Sequence, residues 1–259
     1  MIEAKQHIVG IVLPELPLHH SVRSDQIALN TITHTNDTII DYARKHGVPM
    51  WDLSTLPLTV KFDVLVVACF PNILSESLLD RAQYASINIH PSKLPEYRGP
   101  SPLFWQLRDG LSIVGATLHH MTSSIDSGDI VSQTEIELPL GISGPEADQL
   151  LSESGAGLLI EALQNNTFDR TPQTGTGSYQ SWPTSKDWHI PTTWSVIRAF
   201  NFIRGVADWG IPFILTTEPV SLRIWSAIGF THDESKVGCK RINKYGEHEV
   251  GFSDGWLQF

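Results

Sequence analysis

An asparagine and a histidine two residues apart stand in Asn88-Ile89-His90-Pro91-Ser92, and an acid, Asp126, follows in Ile125-Asp126-Ser127-Gly128-Asp129. Residues 85–89 read as a short buried strand, and positions i and i+2 of a strand share a face. The Asn88 carboxamide and the His90 imidazole can therefore address one atom together. An amide donor beside an imidazole that can be protonated suits the oxyanion formed in acyl transfer. A carboxylate held nearby can orient that imidazole and raise its pKa. No Ser/His/Asp or Cys/His order suggests a covalent enzyme intermediate. Taken singly, each residue has an ordinary structural use, Asp126 as the first residue of an Asp-Ser-Gly turn, for example. The three together point to acyl transfer.

The elements that must position them follow from the local pattern. Residues 7–13 (His-Ile-Val-Gly-Ile-Val-Leu) read as a buried strand, and Asn36 can cap a helix running to His46 with Gly47 as its stop. Residues 63–69 (Asp-Val-Leu-Val-Val-Ala-Cys) are short, continuous and β-branched, the pattern of a parallel strand. A helix over 75–83 then leads into the strand at 85–89. This alternation predicts an α/β fold, a doubly wound and mostly parallel sheet with its site at the strand C-terminal ends. Pro102 opens a helix that Gly110 closes, and strands over 113–120 and 129–138 flank the Asp126 loop. Ser143-Gly-Pro-Glu146 has the spacing of a capping box before a helix to Leu163. Thr174-Gly-Thr-Gly-Ser178 reads as a flexible linker without the lysine or glycine spacing of a phosphate loop. After Trp182-Pro183 come a helix over 193–205 and short β-like runs at 213–217, 220–230 and 249–259. The expected division is a catalytic domain over 1–180 and a small C-terminal β-rich subdomain over 181–259.

A chain of 259 residues can bury a full core, and 41% hydrophobic with 18% charged residues is ordinary for a globular protein. No apolar run approaches a membrane span, and the N-terminus lacks the apolar centre of a signal peptide. Two cysteines, Cys69 and Cys239, give neither a disulfide framework nor zinc spacing. A cytoplasmic protein is the expectation. His19 and His20 are adjacent, so on a strand they face opposite ways, and no acid follows at ligand spacing; no metal is expected. The formal charge of −10 argues against a large nucleic-acid interface, and the one basic segment, 236–244, reads as a solvated hairpin.

Asn-x-His-Pro-Ser-x-Leu-Pro-x-Tyr-Arg-Gly-x-x-Pro from Asn88, then Thr117-Leu118-His119 and Ile125-Asp-Ser-Gly-Asp-Ile130, resembles the formyltransferases that use 10-formyltetrahydrofolate. The likeness is dense over 63–163. It implies catalytic roles for Asn88, His90 and Asp126: the first two stabilise the oxyanion as a neutral amine attacks the formyl carbon. Asp126 would raise the His90 pKa and order a proton-carrying water. It also implies that main-chain groups of two loops hold the pterin, here Asn72, Ile73 and Leu74, and Thr122, Ser123, Ser124, Ile125 and Asp126. Tyr97, Arg98 and His119 fall on the substrate side. The C-terminal runs resemble a reduced form of the β-barrel appendix of the tRNA and sugar enzymes.

The chain also departs from the family. A first strand and helix of roughly 20 residues, the usual strand-plus-helix length, are expected to be absent, leaving a central sheet position empty. In the glycinamide ribonucleotide enzymes that missing turn holds the substrate phosphate. Pro100 stands where some sugar enzymes have a folate-contacting Arg, and Pro91 where folate deformylases usually have a second His. The reading taken is a formyltransferase acting on a small amine, a nucleotide-linked amino sugar. The alternatives are a methionyl-tRNA formyltransferase and a truncated, non-catalytic folate-binding relative. An exposed sheet edge together with the Trp-rich stretches 182–194 and 209–213 leads to an expected homodimer.

Overall fold

Two apolar triplets, Ile-Val-Leu and Met-Trp-Asp, form β1 (Ile11–Leu13) and β2 (Met50–Asp52), which pair in parallel with Ile11 opposite Met50. The computed structural model describes residues 7–14 and 39–259. Helix α1 (Ile39–His46) lies between them in sequence, with Arg44, Lys45 and His46 in its last turn, where cations suit the helix dipole. Gly47 ends it at φ 64°. The expected cap Asn36 and the histidine pair at 19–20 lie outside the described residues. β1 and β2 make a sheet of their own.

The main sheet is built from β3 (Phe62–Ala68), β4 (Ala82–His90), β5 (Ile113–His120) and β6 (Ile130–Glu137), in that order. β3 and β4 are parallel; β5 and β6 continue the sheet antiparallel. β3 carries the β-branched run of a buried strand, yet Val64, Val66 and Val67 are only half-buried. Among the described residues no strand pairs with its other edge. The helix between β3 and β4, α2, is one turn, Glu76–Leu79, shorter than the sequence suggests. Ala82 is taken by β4, opposite Phe62, and four residues cannot sustain a helix against that pairing.

Helix α3 (Pro102–Arg108) starts on its proline and α4 (Gly144–Asn165) follows a cap in which Glu146 accepts from the Ser143 amide and hydroxyl. Asn166, left-handed at φ 50°, closes α4. α4 lies across β4, β5 and β6, and its Leu159 and Ala162 bury Ala85, Ile87 and Leu118. This covers one sheet face and leaves Asn88, His90 and His119 on the other.

The remaining elements are β7 (His189–Ile190), α5 (Val196–Val206), β8 (Phe213–Leu215), β9 (Leu222–Ile224), β10 (Gly229–Thr231), β11 (Lys240–Ile242), β12 (His248–Phe252) and β13 (Gly255–Gln258). They form a three-stranded sheet, β7-β8-β9, and a four-stranded one, β10-β13-β12-β11. The larger core joins them through α5 to α3, with Phe104 against Trp188, Phe202 and Trp209 at ring separations of 4.9, 5.2 and 5.4 Å. The aromatics offered above as a dimer surface are thus partly internal: Trp188 and Phe213 are fully buried and Trp209 packs on Phe104, while Trp182 stays exposed. Among the described residues no helix is long and apolar enough to cross a membrane.

Candidate active site

Strand alternation brings Asn88 and His90 to one face, and antiparallel register places His119 directly opposite Asn88 and Thr117 opposite His90. His119 Nδ1 lies 2.8 Å from the His120 carbonyl, which only accepts, so Nδ1 carries the proton and Nε2 is the acceptor. Asn88 Nδ2 donates to that Nε2 at 3.1 Å and makes a longer contact, 3.4 Å, with Asp126 Oδ1.

The Asp126 carboxylate enters from the loop after β5. Its backbone is left-handed, φ 49°, a conformation Asp tolerates better than most residues. The loop passes so close to β5 that a Cβ on Gly128 would stand 1.9 Å from the His120 carbonyl oxygen, so this position requires glycine. Asp126 Oδ2 accepts from the Gly99 amide at 2.8 Å and lies 3.6 Å from His90 Nδ1; Oδ1 lies 3.6 Å from His119 Nε2. One carboxylate thus stands between two imidazoles. Burial alone would raise its pKa; the two imidazoles facing it and the Gly99 amide outweigh that and hold it below the ordinary 3.8.

His90 Nε2 donates to the Tyr97 carbonyl at 2.8 Å, which leaves Nδ1 facing Asp126. The ring is 4% exposed, and burial, the largest influence, pulls its pKa below 6.5. Asp126 and the Tyr97 carbonyl pull upward and His119 pushes down. The expectation that Asp126 raises the His90 pKa holds for that one interaction; the net direction is downward because desolvation is larger.

The other expected site residues surround this cluster. The turn carrying Asn72, Ile73 and Leu74 follows β3, whose Val67 and Ala68 pair with Asn88 and Ile89. Ile73 is 72% exposed and Leu74 is buried, so Leu74 is core and Ile73 is not. Thr122, Ser123, Ser124 and Ile125 are all exposed. The Thr122 and Ser127 hydroxyls both donate to the Ser124 carbonyl, at 3.1 Å each, and so hold the turn's shape from within. Among the described residues no group of three or more His, Cys, Asp or Glu is placed to hold a metal ion.

Tyr97, at φ 58°, donates its hydroxyl to Asp109 at 3.0 Å, and burial together with Asp109 pushes its pKa up to about 12. Arg98 turns its guanidinium inward, to Gln173 Oε1 at 2.6 Å and to the Asp126 carbonyl at 3.2 Å. The segment read as a flexible linker lies against this loop. The Arg98 amide donates to the Ser178 carbonyl, the Ser178 amide to the Pro95 carbonyl, and the Tyr97 amide to Ser178 Oγ, at 2.8–3.1 Å. A Cβ on Gly177 would meet Pro95 O at 2.4 Å, so this glycine serves close approach. Sequence reasoning missed Gln173 and Ser178, which no motif spacing marks. Thr117, marked in the sequence only as part of a motif block, has a buried hydroxyl that donates to the Ser92 carbonyl at 2.6 Å and accepts from the Leu94 amide at 3.1 Å, fixing the turn after His90.

A sequence model of the family described as "Formyl transferase" matches residues 21–163. The chain is 31% identical over 188 residues to a methionyl-tRNA formyltransferase of Listeria welshimeri, covering 70% of this chain and 58% of that protein. It is 31% identical over 225 residues to one of Staphylococcus epidermidis, covering 82% and 72%. It spans 58–62% of the length of the Listeria and Agathobacter relatives it resembles. Among solved structures it resembles WlaRD, a sugar 3N-formyl transferase crystallised in the presence of dTDP and 5-N-formyl-THF. The TM-score is 0.61 at 16% identity, over 98% of both chains, a likeness of fold.

Proposed function

The chain belongs to the formyl transferase family, and from that premise we propose that it moves a formyl group from 10-formyltetrahydrofolate to the amine of a small substrate, a nucleotide-linked amino sugar. The observation that carries the reading is the Asp126 carboxylate set between His90 and His119 with Asn88 across its edge. That arrangement joins an amide donor to a proton-handling pair, the two things formyl transfer to an amine requires.

The bound folate would supply the formyl group on N10. The residues present fit it: two loops, 72–74 and 122–126, exposed at 72–73 and 122–125, offer the apolar side chains of Ile73 and Ile125 and main-chain polar groups to a flat reduced-pterin ring. Asn88 Nδ2 is the donor for the developing oxyanion. Its 3.4 Å contact with Asp126 is the weaker of its two and the one an oxyanion would replace. Such a donor contributes about 3–4 kcal/mol in comparable holes. His90 keeps one proton on Nε2 against the Tyr97 carbonyl, so a proton taken up in the reaction rests on Nδ1, facing Asp126 Oδ2. Asp126 stays ionised and balances that charge; the buried His90 meets the substrate side through this carboxylate.

The net charge of −10 favours a small amine over a nucleic acid. The basic segment 236–244 is largely engaged within the protein: Arg241 pairs with Glu249 and Asp233, and Lys240 Nζ donates to the Val220 carbonyl. The second reading, methionyl-tRNA as acceptor, is favoured by the names of relatives about 31% identical. Turnover of 10-formyltetrahydrofolate with nucleotide-linked amino sugars and with charged initiator tRNA, in parallel, separates the two. Turnover with neither, in folded protein, removes the proposal.

A further inference from the structure

Gln173 lies beyond the 21–163 match, and its side chain is saturated with hydrogen bonds. Oε1 accepts from Arg98 Nε at 3.2 Å and Nη2 at 2.6 Å, and Nε2 donates to the carbonyls of Asp126 and Gly128 at 2.8 Å each. The amide orientation follows from chemistry: a guanidinium only donates and a carbonyl only accepts, so a flipped amide would lose all four bonds. Its own backbone is fixed on both sides, by the Thr171–Ile130 bridge before it and the Tyr179–Arg98 bridge after it. The segment 171–180 thus spans the His90-side loop, 95–99, and the Asp126-side loop, 126–128, with Gln173 between them.

We propose that Gln173 is the positioning residue of this site, a clamp that holds the Asp126 loop at the distance from His90 that the proton transfer needs. The inference rests on the formyl-transfer reading for its kinetic consequence and on geometry alone for its structural one. The Asp126 carboxylate has fixed partners in the Gly99 amide and Asn88, but its main chain, left-handed at φ 49°, is tied to the Gln173 amide and Arg98. Arg98 is in turn oriented by Gln173 Oε1. Removing one side chain therefore releases two carbonyls and a guanidinium at once, and the carboxylate loses its fixed distance of 3.6 Å from His90. The four bonds of Gln173 go to Arg98 and to main-chain carbonyls, none to the Asn88, His90 or Asp126 side chains, so its effect is on placement, where a displacement of about 1 Å costs on the order of a hundredfold in rate.

The test pairs kinetics with a titration that needs no substrate. The His90 ring resonance, assigned by its loss in His90→Gln, is followed against pH in wild type, Asp126→Asn and Gln173→Met. The groups facing His90 are Asp126, the Tyr97 carbonyl and, edge-on at 6.3 Å, His119. Asp126→Asn sets the full effect of losing the opposite charge, a fall in midpoint of about one pH unit. Gln173→Met keeps the side-chain volume and should move the midpoint the same way by a smaller amount, with kcat down about tenfold or more. Should that protein fail to fold, Gln173→Asn, which keeps the amide and shortens its reach, is read by the same two measurements. A folded variant with an unchanged His90 titration overturns the clamp, whatever its kcat. If wild type transfers no formyl group, the functional reading fails while the titration still decides the role of Gln173.

Discussion

His119 accepts a hydrogen bond from Asn88 Nδ2 at 3.1 Å across the β4–β5 pair, and its other nitrogen donates to the His120 carbonyl at 2.8 Å. The backbone of β5 thereby chooses the tautomer, and the tautomer orients the carboxamide. With Nε2 as acceptor, Asn88 must present NH2 to it, and its second hydrogen points along the Asp126 edge of the site. Two strands in register have set the direction of the Asn88 amide, the oxyanion donor proposed above.

His119→Ala should therefore lower kcat by roughly tenfold, less than the loss of a direct oxyanion donor, because Asn88 survives but its amide is free to flip. His119→Gln, which can accept from Asn88, should recover part of the rate. Equal losses in both variants would detach His119 from the orientation of Asn88.

Asn88→Ala, His90→Ala and Asp126→Ala should each lower kcat about a hundredfold or more, the range for lost oxyanion or acid–base groups. Steady-state kinetics with circular dichroism as the folding control checks this. Full activity in a folded His90→Ala protein would remove the mechanism.

His90 and His120 are both held below the ordinary 6.5, by burial first in each case. A histidine whose folded pKa is depressed leaves the unfolded chain binding more protons between the two values, so stability rises with pH there. Its contribution is complete above about 6.5 and is lost as pH falls through the folded values. Asp126, also depressed, contributes above about 3.9 and is lost below it. The thermal midpoint should fall in two stages as pH is taken from neutrality to acid, first in the histidine range, then in the carboxylate range. A midpoint that rises as pH is lowered from 7 to 5.5 would contradict the histidine part.

Binding to initiator tRNA should be weak and steeply salt-dependent, since Arg241 and Lys240 are engaged within the protein and the net charge is −10. A submicromolar complex at about 150 mM salt, near physiological ionic strength, measured by filter binding, would favour the second reading over the first.

The candidate site was legible in the sequence because it depends on strand alternation and one short spacing: Asn88, His90 and Asp126 come together as their order suggests. β5, β6, α4 and its cap were legible for the same reason, their signals being local. The supports were not. Gln173 reaches 47 residues back to Asp126, and nothing in Thr-Pro-Gln-Thr-Gly marks a side chain with four partners. The linker glycines look like flexibility until Gly177 is seen against Pro95. The half-burial of β3 was hidden too: a β-branched run reports what a strand prefers, and only its neighbours decide what it receives.

Gly155 and Gly157 stand two residues apart on α4, and the same substitution should move stability in opposite directions. In a helix interior Gly→Ala gains about 1 kcal/mol of propensity. At Gly157 a Cβ meets nothing within 4 Å, so Gly157→Ala should keep that gain and raise the thermal midpoint. At Gly155 the Cβ would stand 2.4 Å from Ile89 Cγ2, a β-branched side chain with little rotamer freedom, directly beneath the strand that carries Asn88 and His90. Overpacking of this kind costs about 1–3 kcal/mol, enough to cancel or exceed the propensity gain. Gly155→Ala should therefore lower the midpoint or leave it unchanged. Because relief requires β4 to move, it should also lower kcat, while Gly157→Ala leaves kcat alone. Equal stabilisation by both substitutions, with activity intact, would mean that α4 does not press on Ile89 and that the strand carrying Asn88 and His90 is not seated by this helix.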